Sequence, residues 1–499
     1  MRKSAPSTYD VETYDVETDV VVIGYGFAGA VAAITAHDAG AEVTVLEKMA
    51  QPGGNSRVSG GNCVIPRDSD EAVAQFTDYL TELCFGTTPR DVVEALVQGA
   101  RSLVKWCADL GGDLHIPEQL IVAGTYPRTV KGPGFPKVPG GHGTFDKYCL
   151  RGDAEVPPSL RLWNLLSANV AERAIDVRLR TAARELITDD SGAVVGVVAE
   201  ADGRRIAVRA RRAVVMTCGG FENNPELKQD HVPAKPLKFA GNPGNTGDGI
   251  RMAQAVGADL WHMSPTSTII GFQAPEFEAA FGVFMPSDGF VYTDRHGHRY
   301  VDETGVELHE FTRVFAHFDT EEVEFPRIPS WGIFNEETRL AGPLTWNTSG
   351  YNRDLYRWSS DNSAEVERGW IVRADSVEEL AERLAVDPSV LEATLSRYNA
   401  ACASGVDTEF GRSAETLKPI EAPYYAVPLH PTVLNTQGGA RRDRDARVLD
   451  PYGEPIPRLY SAGEFGSAWG YLYQGASNIT ECLVFGRIAG ANAASRSTD

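Results

Sequence analysis

An α/β protein built on a Rossmann-like dinucleotide-binding unit is the fold class the sequence predicts, on three observations near its amino terminus. Val20-Val-Val-Ile23 is a short apolar run suited to a strand covered on both faces. Gly24-Tyr-Gly26-Phe27-Ala28-Gly29 follows at once and opens an Ala-rich helical pattern from about Ala28 to Ala39, which Gly40 can stop. A second strand, Glu42 to Glu47, ends on an acid.

Each part has a mechanical reason. Gly24 permits the tight turn, Gly26 lets the backbone approach a pyrophosphate, and Gly29 lets helix and strand pack closely. The helix N-terminus offers free N–H groups and a positive dipole end to phosphates. Glu47, eighteen residues past Gly29, can accept hydrogen bonds from ribose hydroxyls and would repel a 2′-phosphate, which disfavours NADP. Phe27, Ala28 and Lys48 flank these positions and join the candidate cofactor-binding set. A glycine turn in some other α/β fold would leave the acid at the second strand end unexplained.

Composition bounds the rest. At about 150 residues per domain, 499 residues predict about two to four domains. A net charge of −21 disfavours nucleic acid and anionic lipid as partners. No apolar run approaches the ~20 residues of a membrane-spanning helix. The seven cysteines are scattered, with no CxxC and no metal-ligand spacing, so free thiols in a reducing, cytoplasmic setting and no metal site are expected. No apolar secretory stretch precedes the first strand, and the acidic tandem Tyr9–Thr13, Tyr14–Thr18 reads as part of a flexible tail over residues 1–18.

Gly53-Gly54-Asn55-Ser56-Arg-Val-Ser-Gly60-Gly61 is rich in flexible backbone and small polar donors, which suits close contact with a flat ring and a polyol chain. On composition alone it would equally be a surface loop. Further stretches resolve that choice, because together they match a family: Val214-Val-Met-Thr217-Cys218-Gly219-Gly-Phe221, Asn245-Thr-Gly-Asp248-Gly-Ile250, Gly297-His-Arg-Tyr-Val-Asp-Glu303, Thr436-Gln-Gly-Gly439, Val448 to Pro457, Leu459-Tyr-Ser-Ala-Gly463-Glu464 and Phe485-Gly-Arg-Ile-Ala-Gly490. In this order the chain resembles, over nearly its whole length, the flavin superfamily of soluble fumarate reductases, the succinate dehydrogenase flavoprotein subunit, urocanate reductases and 3-ketosteroid dehydrogenases.

The resemblance implies non-covalent FAD and a fold of the glutathione-reductase type, with an FAD-binding domain made from both chain ends (19–260 and 426–499) and an inserted α+β catalytic cap (261–425). The stretch from Pro265 to Trp370 is rich in aromatics, Gly and Pro, unlike the regular start, and Val377 to Ala401 reads as two helices with Asp387-Pro388 opening the second. The resemblance also implies contacts: Asn55 and Ser56 by the pyrophosphate and flavin, Ala183 at the adenine, Thr217, Cys218 and Gly219 near the nucleotide, Asp248 against the dinucleotide, and Glu464 at the ribityl chain. Ser477, Asn478 and Ile479 would start the last helix beside the flavin pyrimidine edge. A helix N-terminus there stabilises negative charge developing on the ring. Plain packing of that helix fits the apolar Ile479, Leu483 and Val484 equally well.

Departures from the family pattern narrow the chemistry. Fumarate reductases carry an Arg acid four residues after the glutamate of the Gly297–Glu303 stretch, where this chain has Glu307. Their His before Thr-x-Gly-Gly is Asn435 here, and a second substrate-binding Arg falls on Tyr473. A dicarboxylate needs cations to offset its charge in a dry pocket, so fumarate and succinate are disfavoured. Ketosteroid dehydrogenases place at the Tyr473 position a Tyr that hydrogen-bonds the ring ketone. A phenol is a suitable neutral electrophile for a carbonyl, on an apolar body that suits a flat ligand. Tyr471 and Tyr473 are thus candidate substrate contacts, or aromatic packing around the flavin. Glu307 and His309 are candidate proton carriers, or solvated residues of the cap. Gly124 to Lys147, with Tyr126 and His142, is a candidate substrate lid or an ordinary long loop.

The sequence therefore predicts an FAD-dependent oxidoreductase that moves a hydride between flavin N5 and a carbon α or β to a ketone, resembling a 3-ketosteroid dehydrogenase, in the dehydrogenation or the enone-reduction direction. The expected partners are a small hydrophobic carbonyl substrate and a quinone or electron-transfer protein. A reductase of another unsaturated carbonyl compound is the alternative, and a non-catalytic flavoprotein the remote one.

Overall fold

Three fully buried valines, Val20, Val21 and Val22, put the first strand at the centre of the largest sheet. The structure is a computed structural model and describes residues 13–117 and 132–496. That strand, Val16–Ile23, pairs in parallel with Val43–Leu46 on one side and with Arg204–Met216 on the other, in register Val20↔Val43 and Val21↔Val214. Asp176–Arg178 extends the sheet beyond Val43–Leu46, and Pro455–Ser461 extends it beyond Arg204–Met216. The last strand comes from the far end of the chain, so one sheet joins both termini. The strand, expected over Val20–Ile23, starts at Val16, so the expected end of the tail at 18 falls inside it. The second copy of the acidic tandem is therefore already part of the sheet, and Asp15 donates its N–H to Ala207 O at 2.9 Å.

The helix Phe27–Asp38 follows the glycine turn, and the chain leaves it through Gly40 at φ 85°. Its face is nearly all alanine and valine because the last helix, Ser477–Ala494, lies directly on it. A Cβ at Gly490 would sit 2.4 Å from Ala32 O, and one at Gly486 2.9 Å from Ala28 O. The two backbones approach this closely only because glycine stands at both positions. That packing fixes where the last helix points its N-terminus.

A second, mostly antiparallel sheet of seven strands carries the other half of the molecule. Its spine is Tyr424–Thr436, which pairs with Thr266–Phe272 through its second half and with Ser330–Phe334 through its first. Leu260–Trp261 pairs with Gly439–Ala440. The domain boundaries expected at 260/261 and 425/426 therefore both fall inside strands. Phe272, Phe281, Trp358 and Trp370 form an aromatic core under this sheet, with Phe281 and Trp358 ring centroids 5.4 Å apart. The Gly297–Glu303 stretch holds a buried ion network. Arg299 bonds Glu303 at 2.7 Å and Asp407 at 2.8 Å, and Arg412 bonds Glu303 at 3.2 Å. It anchors the chain just before Glu307.

The two helices expected between Val377 and Ala401 are Val377–Leu384 and Pro388–Ser404. Ser376 caps the first and Asp387 the second, the latter by accepting the Ser389 N–H at 2.8 Å. A small third sheet, Asn62–Pro66 with Phe145–Leu150 and Leu114–His115, sets Val64 opposite Lys147. Of the expected lid, 124–131 lies outside the described residues. His142 is exposed and its Nε2 meets Pro136 O at 3.2 Å, away from the cavity described next.

Candidate active site

One cavity of about 300 Å³ runs from the carboxyl ends of the parallel strands to the underside of the second sheet. This is where an open α/β sheet binds its ligand. At the nucleotide end Gly24, with φ 98°, would place a Cβ 2.4 Å from Thr217 O, and a Cβ on Gly29 would lie 2.0 Å from Gly24 O. Gly24, Gly26, Phe27 and Ala28 line the cavity, whereas Gly29 stands behind them as the helix–strand contact. Gly29→Ala is expected to give protein that purifies without flavin absorbance or stays insoluble; normal flavin content would contradict this close-contact role.

Glu47 closes the adjoining strand end. Its Oε2 accepts the Tyr25 N–H at 2.9 Å and its Oε1 the Met49 N–H at 2.7 Å, so two backbone donors orient the carboxylate in the cavity wall. Lys48 donates to Asp248 Oδ2 and Thr246 Oγ1, each at 2.7 Å, and Asp248 is held below the usual carboxylate range by Lys48 against the opposing effect of its burial. Ala183, Cys218 and Gly219 line the same end. Thr217 also lines it, and its hydroxyl donates to Ile23 O and Gly24 O, each at 2.9 Å, which ties the two glycine turns together. Burial pushes the Cys218 thiol up to about 12, so it is neutral.

In the middle, Ser56 Oγ accepts the Phe27 N–H at 2.9 Å and thereby fastens the Gly53–Gly61 loop to the helix start. Gly54, Asn55, Gly60 and Gly61 face the cavity with Gly463 and Glu464. The expectation that this loop is part of the site and not free surface accords with these contacts.

The last helix begins after Ala476, whose φ of 77° is a left-handed conformation rare for alanine. Asn478 and Ile479 line the cavity. Ser477 does not: it is fully buried and its hydroxyl bonds Gln474 O, so two of the three residues expected at the helix start face the cavity. Asn478 Nδ2 and Oδ1 are both buried and have no partner among the described residues. A donor and an acceptor side by side without partners are costly unless a ligand edge supplies the complement. An isoalloxazine pyrimidine edge presents carbonyl acceptors and an N–H donor, so the residues present fit FAD.

At the far end Tyr473 is 7% exposed. Its hydroxyl oxygen accepts the N–H groups of Ala476 at 3.1 Å and Asn478 at 3.4 Å. Both donors are helix-start amides, so the oxygen is polarised and its own hydrogen is free to point elsewhere. Burial raises the phenol well above its ordinary value, so it stays protonated. The His309 ring stands edge-on to the Tyr473 ring, with centroids 5.1 Å apart at 88°. Glu307 holds that histidine twice: its Oε1 lies 3.1 Å from His309 Nδ1, and its Oε2 accepts the His309 N–H at 2.6 Å. With Nδ1 engaged, Nε2 is the nitrogen left for a ligand.

The structure does not bring Tyr471 to this group. Tyr471 is 41% exposed outside the cavity, packs on Phe85 at 4.6 Å and carries Arg313 over its ring at 4.0 Å. It and Tyr473 are two positions apart in an irregular segment, where alternation does not place both rings on one side.

Three features were not evident from sequence motifs. Lys147 lines the chamber, and burial lowers its ammonium to about 8 although Glu307 opposes this. The chamber thus carries a titratable cation beside its aromatic residues. Phe284 and Trp346 stack with centroids 3.5 Å apart and planes 1° apart, forming an apolar wall. Gln474 Oε1 accepts the Tyr79 hydroxyl at 2.7 Å and the Gly134 N–H at 2.9 Å, which brings Gly134 beside Glu307. Lys147 sits in an ordinary-looking strand, and only the pairing with Asn62–Pro66 turns it inward. Among the described residues no arginine lines the cavity, no cluster of acids, histidines or cysteines could hold a metal, and no helix is long and apolar enough to cross a membrane.

Comparison with known proteins places this geometry. Urocanate reductase of Eggerthella lenta is 30% identical over 516 residues, covering 99% of this chain and 77% of that protein. Digoxin reductase of the same organism is 28% identical over 531 residues, covering 96% and 87%. The crystal structure of 3-ketosteroid delta1-dehydrogenase from Sterolibacterium denitrificans superposes with a TM-score of 0.80 at 24% identity, over 96% of this chain and 99% of that one, and so has the same fold. The model of the FAD binding domain family matches residues 19–479. The chain belongs to that family, and it is an FAD-dependent oxidoreductase acting on CH–CH bonds, related in sequence to urocanate and fumarate reductases.

Proposed function

We propose that the protein transfers a hydride to or from a carbon–carbon bond conjugated to a ketone, with a flat, largely apolar cyclic ketone or enone of the ketosteroid type as substrate. The observation that carries this reading is Tyr473: a buried, protonated phenol, polarised by two helix-start amides, in a chamber without a lining arginine among the described residues. FAD, when bound, supplies the hydride acceptor or donor.

The chain's own groups then divide the remaining work. Tyr473 donates its hydroxyl hydrogen to the substrate carbonyl oxygen, where electron density rises when an enone takes up hydride or a saturated ketone loses its α proton. His309 gives or takes the proton on the neighbouring carbon through Nε2, and Glu307 orients the ring and offsets the imidazolium charge. Phe284 and Trp346 hold the ring system flat. In saturation of an enone, one hydride and one proton are added across the C=C bond. Desaturation is the reverse, and electrons then leave to a quinone or an electron-transfer protein. The seven unpaired thiols accord with a reducing, cytoplasmic location.

His309→Gln is expected to lower kcat by about 10²- to 10⁴-fold with flavin content retained. Wild-type turnover in that variant would remove His309 from proton transfer.

Lys147 favours a second reading, an unsaturated monocarboxylate, because its one cation can offset one negative charge. Two relatives are named for urocanate, an unsaturated carboxylate, and digoxin, a steroid whose unsaturated carbonyl is a lactone. The test is anaerobic: protein reduced with dithionite is mixed in turn with androstenedione, cinnamate and fumarate while flavin absorbance is followed. Reoxidation by the steroid, or bleaching of oxidised protein by a saturated 3-ketosteroid, supports the first reading. Response to cinnamate alone, weakening as pH rises through about 8 where Lys147 loses its charge, establishes the second. Response to fumarate alone overturns both.

A further inference from the structure

Behind the middle of the cavity lie two carboxyl groups with no ion-pair partner among the described residues. Glu222 is fully buried, and Glu464 beside it faces the cavity. Two amides tie them together. Asn55 Nδ2 lies 2.5 Å from Glu222 Oε1 and 3.0 Å from Glu464 Oε1. Asn245 Nδ2 lies 2.6 Å from Glu222 Oε1 and 3.2 Å from Glu464 Oε2. The Asn55 amide orientation is fixed from its other side, because its Oδ1 accepts the Asn242 N–H at 2.6 Å. Glu222 Oε2 is buried with no partner among the described residues.

The charged and titratable groups around the pair do not neutralise it. Lys228 is the nearest cation to Glu222, but its ammonium bonds Leu237 O at 3.2 Å, stands 5.6 Å over the Phe239 ring, and is itself opposed by Lys238. Cys482 faces Glu464 and is neutral, its thiol pushed up to about 12 by burial and by that carboxyl. Two carboxylates sharing donors away from water cannot both stay ionised. Burial first, and Glu222 second, push Glu464 well above the usual carboxylate range; burial pushes Glu222 up to about 7.

We propose that Glu222 is a positioning residue of the cofactor site, acting through Asn55 and Asn245, and that it forms with Glu464 an acid pair which shares a proton and holds it more tightly when FAD is bound. Asn55, Asn245 and Glu464 all line the cavity, whereas Glu222 does not, so Glu222 reaches the cofactor only through them. Water in the empty cavity can solvate Glu464. A bound cofactor displaces that water and buries the pair more deeply, so the shared proton is retained to higher pH. Affinity for FAD then falls as pH rises, because the bound state holds more protons than the free state.

The test uses apoprotein of the full chain, titrated with FAD by fluorescence quenching from about pH 6 to 8.5, with calorimetry in phosphate and Tris at about pH 8 to count protons. In wild type, Kd is expected to rise by up to about tenfold per pH unit once the free pair begins to lose its proton, with up to one proton taken up there. Glu222→Gln carries the same shape without the acid. Its pH slope and its proton uptake are both expected to shrink, because burial alone then raises Glu464. The proposal is overturned if wild-type binding takes up no proton, which needs no variant, or if Glu222→Gln shifts Kd equally at every pH and keeps the wild-type slope, which would mark Glu222 as merely structural.

Discussion

Tyr473→Phe is expected to lower kcat by about 10²- to 10³-fold while the protein stays yellow, the loss typical of removing one donor from an oxyanion site. The ring, its edge contact with His309 and its apolar surroundings survive this change; only the hydroxyl goes. Two N–H groups, of Ala476 and Asn478, then lose their acceptor. That costs about 1–3 kcal/mol of local stability at the head of the last helix. The two effects separate in measurement. Steady-state kcat and flavin content report the first, and the urea midpoint of flavin release reports the second. A variant with full turnover would place the carbonyl electrophile elsewhere in the chamber.

Arg442→Met is expected to be the most damaging single change away from the chamber. Arg442 is fully buried, pairs with Glu481 on the last helix and stands 4.7 Å over the Phe485 ring. It also lies 3.4 Å from Gly463 O and 3.3 Å from Phe465 O, so it ties the Gly463–Phe465 turn of the cofactor site to the last helix. Glu481 in turn accepts the Ser467 hydroxyl at 2.8 Å and the Ala468 N–H at 2.9 Å. Removing the guanidinium leaves a buried carboxylate without its cation, at a cost of about 3–5 kcal/mol. The double variant Arg442→Met, Glu481→Leu should recover most of that loss but not the Ser467 and Ala468 bonds. Denaturant unfolding of wild type, single and double variants checks this. A single variant within about 1 kcal/mol of wild type would show that the pair is dispensable.

Together these expectations describe a site held from three directions. The parallel sheet supplies the nucleotide end, the last helix aims its N-terminus at the centre, and the second sheet carries Leu434 and Asn435 to the chamber on its long spine. The ion network of Arg299, Glu303, Asp407 and Arg412 fixes the segment that delivers Glu307 and His309.

What could be read along the chain was what is local in the chain. Gly24, Gly26 and Gly29 with Glu47 lie within one strand–helix–strand unit, so their spacing is visible in the chain, although the backbone that crowds Gly24 is Thr217, 193 positions on. Asp387 announced a helix start because a cap bonds an amide two residues on. Tyr473, Glu307 and His309 were legible as chemistry-bearing residues, but their mutual geometry was not. The tertiary structure alone decided that Tyr471 faces Arg313 and solvent, that Ser477 packs inward, that Lys147 turns into the chamber, and that Glu222 meets Asn55 from 167 positions away and Asn55 meets Glu464 from 409. The physical reason is range: periodicity and turn chemistry act over a few residues, whereas burial, charge pairing and the sharing of a proton depend on which distant segments the packed sheets bring within about 3 Å of one another.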